Sequence, residues 1–152
     1  MLNRKGGHPG ANATNGAIRR WTAPFTGRIA LSGELEHPAE AGDGIKARIV
    51  SSRQGQLQEW DVFHRKQATA LVEVEVRRGE TLDFLVEPRA DENSDGFTWA
   101  PVIRRLESAS TGSSDWRAAR DFGGPQSLPV PLDSWQQYAQ VLLSANEFIF
   151  ID

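Results

Sequence analysis

The stretch TALVEVEVRRGETLDFLVE, residues 69–87, decides the fold because it contains the clearest two-residue alternation in the chain. The apolar side chains that share a face are Ala70, Val72, Val74 and Val76 in the first half, and Leu82, Phe84 and Val86 in the second. Successive side chains of a strand point to opposite faces of a sheet, so the pattern predicts two strands that each bury one face. The turn RRGET between them is short enough to join neighbouring strands directly.

Similar short segments recur on both sides of this stretch. The candidate strands are residues 18–22, 28–36, 45–51, 57–64, 69–77, 81–87 and 97–106. Seven short strands with no helix between them predict a mainly β protein, an antiparallel β-sandwich rather than a parallel sheet. A two-sheet jelly roll, of the carbohydrate-binding-module-like or galactose-binding-like kind, is the first choice of topology.

Composition divides the 152 residues into four parts. Residues 1–16, rich in glycine, asparagine and alanine, are predicted to form a flexible or loosely docked arm. Residues 17–107 form the predicted sandwich. Residues 108–132 are predicted to be a linker and extended segment, with a short helix in DWRAARDF and prolines that prevent a continuous helix after it. Residues 133–152 have apolar positions close to helical spacing and predict a C-terminal helix.

Charge and cysteine content narrow the classes of partner. The net charge is −3, which predicts no electrostatic attraction to nucleic acid or to an anionic membrane. No apolar run approaches the ~18 residues of a membrane span. The absence of cysteine excludes disulfides and thiolate zinc sites within this chain.

The loop sequence DENSDGFTW, residues 91–99, is the densest group of polar side chains beside aromatic ones. Asp91, Asn93, Asp95 and Gly96 match the start of an EF-hand calcium loop, whose oxygen ligands suit a hard cation. The twelfth position, however, is Val102 rather than the glutamate that an EF-hand requires. Two interpretations remain: a weaker structural calcium site with Asp91, Asn93 and Asp95 as ligands, or a turn stabilised by its own short side chains.

Tryptophan is abundant, with five residues against a single tyrosine. Sugar-binding sandwiches place aromatic rings flat against the apolar face of a pyranose and bond its hydroxyls with polar side chains. The predicted ligand-binding residues are Trp60 and Trp99 for stacking, with Asn93, Asp95 and Arg53 for the hydroxyls. The alternative is that Trp21 and Trp99 fill the core, which is the commonest role of large aromatic side chains.

Signatures of an enzyme are missing from the sequence. It has no nucleophile elbow, no phosphate-binding loop and no dinucleotide fingerprint. Its three histidines, His8, His37 and His64, lack the helical spacing of a metal site. The sandwich pattern, the abundant tryptophan and the polar loop together predict a non-catalytic carbohydrate-binding module, whose partner is an oligosaccharide or polysaccharide.

Several segments together resemble the C-terminal part of large planctomycete proteins that carry cytochrome-c-like haem modules and associated domains of unknown function. The segments are AIRRWTAPFTGRIALSGELEHP, GDGIKARIVSSRQGQLQEW, DENSDGFTWAPVI and WQQYAQVLLSANEFIFID. The resemblance extends over roughly residues 6–152, and the motifs occur in the same order in those proteins.

This resemblance implies an exported or periplasmic multi-domain context, although the chain shows no signal-peptide-like segment. It also implies that a carbohydrate-binding-type jelly roll precedes the last helix of a larger helical domain. The apolar C-terminal segment would then dock on a helical or haem-bearing partner domain. A structural or interaction module is therefore the alternative function.

Overall fold

The computed structural model describes residues 2–3, 5–11, 15–107 and 114–124. Its strands are β1 (Gly6–Gly7), β2 (Ala17–Thr22), β3 (Gly27–Ser32), β4 (Glu34–His37), β5 (Ile45–Ser51), β6 (Gly55–Val62), β7 (Arg65–Ala68), β8 (Leu71–Val76), β9 (Thr81–Pro88), β10 (Phe97–Trp99), β11 (Val102–Arg105) and β12 (Asp115–Arg117). One short helix, α1 (Ala118–Asp121), follows β12. These described residues confirm a mainly β protein.

The strands form three antiparallel sheets arranged as a sandwich. One layer is the sheet β2-β9-β5-β6. The other layer contains the sheets β1-β10-β4-β7 and β12-β11-β3-β8. Three chain segments run through both sheets of this second layer, because β3 continues into β4, β7 into β8, and β10 into β11.

The three breaks in the second layer meet at one point. Gly33 separates β3 from β4, and a Cβ atom at this position would lie 3.2 Å from both the Pro101 Cα and the Thr69 Oγ1. The Thr69 amide donates a hydrogen bond to the Gly33 carbonyl at 2.9 Å. Glycine therefore permits the close approach at which all three segments bend.

One hydrophobic core joins the layers. Its buried members include Trp21, Ile29, Leu31, Leu35, Ile45, Ile49, Val62, Val76, Leu82, Phe84, Val86, Phe97, Trp99 and Ile103. Trp99 of the second layer contacts Phe84 of the first at 5.5 Å between ring centroids. Trp21 and Trp116 make the corresponding contact at 5.5 Å. Burial of these rings adds to the hydrophobic stabilisation that joins the two layers.

The stretch of residues 69–87 folds partly as its alternation predicts. Val74, Val76, Leu82, Phe84 and Val86 are buried as expected. Its two strands do not pair with each other, however, because β8 belongs to the second layer and β9 to the first. The RRGET turn therefore crosses from one layer to the other.

Ala70 and Val72 depart from the predicted pattern, since Ala70 is exposed and Val72 is 87% exposed. The pairing of β3 with β8 shifts register, because Ile29 lies opposite Val74 whereas Leu31 lies opposite Leu71. The extra residue in β8 is a bulge, which transfers the inward position to Leu71 and turns Val72 towards solvent.

Segments outside the predicted sandwich also contribute to it. In the predicted arm, Gly6–Gly7 pairs with β10, and a Cβ atom at Gly6 would overlap the Phe97 carbonyl oxygen. In the predicted linker, β12 pairs with β11 and brings Trp116 against Phe25. The predicted C-terminal helix, residues 133–152, lies outside the described residues.

Candidate functional site

Trp99 is a core residue. It is 2% exposed, and its indole N–H donates a hydrogen bond to the Thr69 hydroxyl at 2.9 Å. The strand pattern explains this burial, because Phe97 and Trp99 of β10 share the inward face and Thr98 between them is exposed. The prediction that Trp99 stacks on a sugar is therefore wrong, since neither face of its ring is open to a ligand.

Trp60 keeps part of its ring at the surface. It lies on β6, the edge strand of its sheet, opposite Ala47 and therefore on the inward face. The ring is half-buried and packs against the core, with its centroid 6.3 Å from that of Trp99 at an angle of 77°. Edge-to-face packing of this kind fixes the orientation of an aromatic ring.

A shallow groove opens between the edges of the two layers. Its lining comes from β6 and its preceding turn on one side and from β8 on the other, namely Gln54, Leu57, Leu71, Glu73, Val74 and Glu75. Leu57 and Leu71 are half-buried and supply an apolar floor. Trp60 lies three residues beyond Leu57 on the same strand, about 10 Å further along it. We call the surface lined by these six residues, together with the neighbouring Trp60 of the same strand, the edge groove; Trp60 does not line the depression itself.

Arg53 is engaged in a polar cluster around a buried carboxylate rather than in the edge groove. Its Nε donates to the Glu80 carboxylate at 3.1 Å and its terminal nitrogen donates to the Glu75 carbonyl at 3.1 Å. Glu80 also accepts from the Ser51 hydroxyl at 2.6 Å and from the Arg77 amide at 2.9 Å. These bonds tie the turn after β5 to the turn after β8, so Arg53 has a structural role.

The charge of Glu80 is stabilised by these donors. Burial alone raises the pKa of a carboxyl, because it disfavours the charged form. Hydrogen bonds from Ser51, the Arg77 amide and Arg53 outweigh burial, and the pKa of Glu80 lies below its ordinary value. Glu80 is therefore ionised in the neutral range and holds the two turns together.

The loop of residues 89–96 contains the remaining predicted site residues. The Asp91 carboxylate accepts the Asn93 amide at 2.8 Å, which is the hydrogen bond of an Asx turn. Asn93 itself is exposed, and its amide oxygen accepts from the Ser94 hydroxyl at 3.4 Å. Asp95 is fully buried, which contradicts the prediction that it bonds sugar hydroxyls.

The predicted calcium ligands are thus oriented differently from one another. Asp91 and Asn93 serve the turn at the surface, whereas the Asp95 carboxylate lies in the interior. Within the part of the chain that the structure describes, no group of three or more histidine or acidic side chains is placed to hold a metal ion. The Asx-turn interpretation accounts for the contacts of Asp91, and we identify none of the three as a metal ligand.

Asp95 forms a buried pair with His37, which sequence reasoning did not connect. Both side chains are 0% exposed, and the His37 Nε2 lies 3.7 Å from an Asp95 carboxylate oxygen. The pair arises because β4 and β10 are neighbours, His37 ends β4, and Asp95 precedes β10. The two residues are far apart in sequence, so only the strand pairing brings them together. Burial and the nearby Asp43 carboxylate raise the pKa of Asp95 to about 6.

Neither helix hydrophobicity nor comparison with known proteins assigns a function to the chain. Across residues 2–3, 5–11, 15–107 and 114–124, no helix has the length and apolar character that a membrane crossing requires. Comparisons with protein-family models, curated proteins and solved structures found no match for the chain. A function therefore rests on the geometry of the residues described above.

Proposed function

We propose that the chain is a non-catalytic carbohydrate-binding module that binds a glycan chain in the edge groove, with Trp60 as the stacking residue. The supporting observation is the half-buried ring of Trp60 on the unpaired edge strand β6, held edge-on by Trp99. A fixed aromatic ring at a surface binds the flat C–H face of a pyranose at little cost in side-chain entropy.

The rest of the edge groove suits a sugar chain. Leu57 and Leu71 provide an apolar floor for the C–H faces of further sugar units. Gln54, Glu73 and Glu75 of its lining provide amide and carboxylate groups that bond hydroxyls. A shallow surface groove suits internal segments of a polysaccharide rather than a single buried sugar.

The charge of the groove favours neutral glycans. Two of its lining side chains, Glu73 and Glu75, are carboxylates and none is cationic, although the Arg28 guanidinium lies 3.3 Å from Glu73. Sulfated or uronic acid polymers would place like charges beside Glu75 in particular and would be repelled. The expected ligands are therefore neutral polysaccharides.

Two finer assignments accompany this proposal. The order β2-β9-β5-β6, in which a late strand lies between two early ones, supports the jelly-roll topology that the sequence predicts. The expectation of a non-catalytic role rests on the sequence, which has none of the enzyme signatures named above. The resemblance to cytochrome-associated planctomycete proteins, with an exported location, stays a prediction.

The test compares three variants by affinity electrophoresis and isothermal titration calorimetry against a panel of neutral and sulfated polysaccharides. Trp60→Ala should reduce the affinity for a neutral polysaccharide about two- to tenfold, because an aromatic stacking contact contributes about 0.5–1.5 kcal/mol. Trp60→Phe should retain part of the affinity. Val72→Ala, on an exposed position of β8, serves as the control and should bind as the wild type does.

Two outcomes would contradict the proposal. One is the absence of binding to every polysaccharide in the panel. The other is binding that Trp60→Ala leaves unchanged while circular dichroism shows that the variant is folded.

A further inference from the structure

The His37–Asp95 pair is the least satisfied polar contact in the described interior. Among the residues that the structure describes, none donates a hydrogen bond to either carboxylate oxygen of Asp95. The His37 Nε2 likewise has no hydrogen-bond partner among them. Their separation of 3.7 Å exceeds a hydrogen bond. An ionised carboxylate without donors is costly in an interior, so this pair is expected to respond to protonation.

A backbone hydrogen bond orients the His37 ring. The His64 amide donates to the His37 Nδ1 at 3.2 Å, which makes Nδ1 an acceptor and places the imidazole hydrogen on Nε2. Nε2–H therefore faces the Asp95 carboxyl, from which it is 3.7 Å away.

The surrounding charges act on Asp95 in both directions. Asp43, Asp91 and Glu92 disfavour the carboxylate, whereas His8 favours it. Around His37, the strand partner Arg65 directs its guanidinium to the Asp61 carbonyl at 2.7 Å. The His64 ring lies 3.7 Å from Glu40 at the surface. The immediate environment of Asp95 is thus dominated by acids, with no guanidinium or ammonium group among the charges that act on it.

The loop of residues 89–96 depends on this pair for its inner attachment. Its outer end is fixed by Asp43, whose carboxylate accepts the Ala90 amide at 2.7 Å and whose carbonyl accepts from Arg89 at 2.9 Å. Its inner end enters the core at Asp95, immediately after Ser94 with a φ of 65°. Movement of the loop outward would return the Asp95 carboxylate to water.

We propose that Asp95 and His37 form an acid-closed clasp, which holds the loop of residues 89–96 against the sandwich when Asp95 is protonated and releases it when Asp95 is ionised. The protonated carboxyl is neutral and fits the buried position, whereas the carboxylate gains by exposure. The clasp controls whether the loop of residues 89–96 stays attached to its end of the sandwich. It does not depend on the proposed glycan binding.

The sign of the pH effect follows from the raised pKa of Asp95. Burial and Asp43 raise it from 3.8 to about 6. Its stabilising contribution is therefore complete below pH 3.8 and is lost as the pH rises through about 6. Between about pH 5 and about pH 7.5 the unfolding equilibrium constant should rise about tenfold through this group alone.

Urea unfolding of the wild type and of Asp95→Asn at these two pH values tests the clasp. The ratio of their unfolding constants, wild type to variant, should rise about tenfold from the lower to the higher pH. Asp91→Asn, an exposed residue of the same loop, is the control, and its ratio to the wild type should change less than about twofold. A ratio for Asp95→Asn that is the same at both pH values would overturn the proposal.

A second measurement needs no variant. In a carbon-detected NMR titration of the wild type, the Asp95 carboxyl should titrate near pH 6. The protection factors of the backbone amides of residues 92–96, which remove the intrinsic rise of exchange with pH, should be higher below this midpoint than above it. Titration of Asp95 below about pH 4.5, the range of an unperturbed carboxyl, would overturn the proposal.

Discussion

The ring of Trp60 meets the ring of Trp99 edge to face, with centroids 6.3 Å apart and planes inclined by 77°. One ring is buried and the other reaches the surface, so the contact connects the core to the edge groove. Trp99 in turn contacts Phe84 at 5.5 Å and bonds Thr69. Trp60 is therefore held by the core, and the two tryptophans have separable roles in binding and stability.

Trp99→Ala should lower the free energy of unfolding by about 3–5 kcal/mol, because it leaves a large cavity and deprives the Thr69 hydroxyl of its donor. Trp60→Ala should cost only about 1–2 kcal/mol, because part of its ring is already at the surface. Urea unfolding of both variants measures the difference. Equal losses would contradict the separation of a core tryptophan from a groove tryptophan.

Glu80→Gln should lower the free energy of unfolding by about 1–3 kcal/mol at neutral pH, because the charge-assisted bonds from Ser51 and Arg53 weaken. The pKa of Glu80 is lowered in the folded state, so its contribution is present above the unfolded pKa of 4.5 and is lost as the pH falls through the lower folded value.

Urea unfolding at neutral pH and at about pH 3 checks this dependence on Glu80. The gap between wild type and Glu80→Gln should shrink at the lower pH. Glu75→Gln is the matched control, because Arg53 and Gln54 bond the backbone carbonyl of Glu75 rather than its carboxylate. A gap for Glu80→Gln that widens on acidification would show that its carboxylate does not act as a charged acceptor.

Gly6→Ala should detach β1 from β10, because a Cβ atom would overlap the Phe97 carbonyl oxygen. Arg19 would then lose its bond to the Gly6 carbonyl, which now measures 3.0 Å. Amide hydrogens of residues 5–7 should exchange at least about tenfold faster in the variant. Gly96→Ala meets no atom within 4 Å and is the control. Unchanged exchange at residues 5–7 would contradict the close pairing.

The sequence predicted local burial more successfully than pairing. Alternation correctly placed Val74 and Phe84 inside, because burial of alternate side chains is a local property of a strand. It could not place β8 and β9 in different layers, since the choice of sheet depends on distant strands. The sequence wrongly predicted that Val72 is buried, because a bulge that shifts the pairing of two strands leaves no signal in the alternation.

The candidate site shows the same limit. Residue types indicated Trp60 and Trp99 equally, and only the packing of β10 separates the buried ring from the accessible one. His37 and Asp95 offered no pattern, because they meet through the pairing of β4 with β10. One signal was available: Asp95 stands two residues before Phe97, and alternation therefore places this polar side chain on the same inward face.

The most direct test of glycan binding is the indole N–H signal of Trp60 in proton–nitrogen NMR spectra, recorded during titration with a soluble neutral oligosaccharide that the panel identifies. The Trp60 signal is assigned by its loss in Trp60→Phe. The account predicts that this signal shifts until binding is saturated, while the signal of buried Trp21 stays in place. A Trp60 signal that does not move when binding is complete would contradict the account.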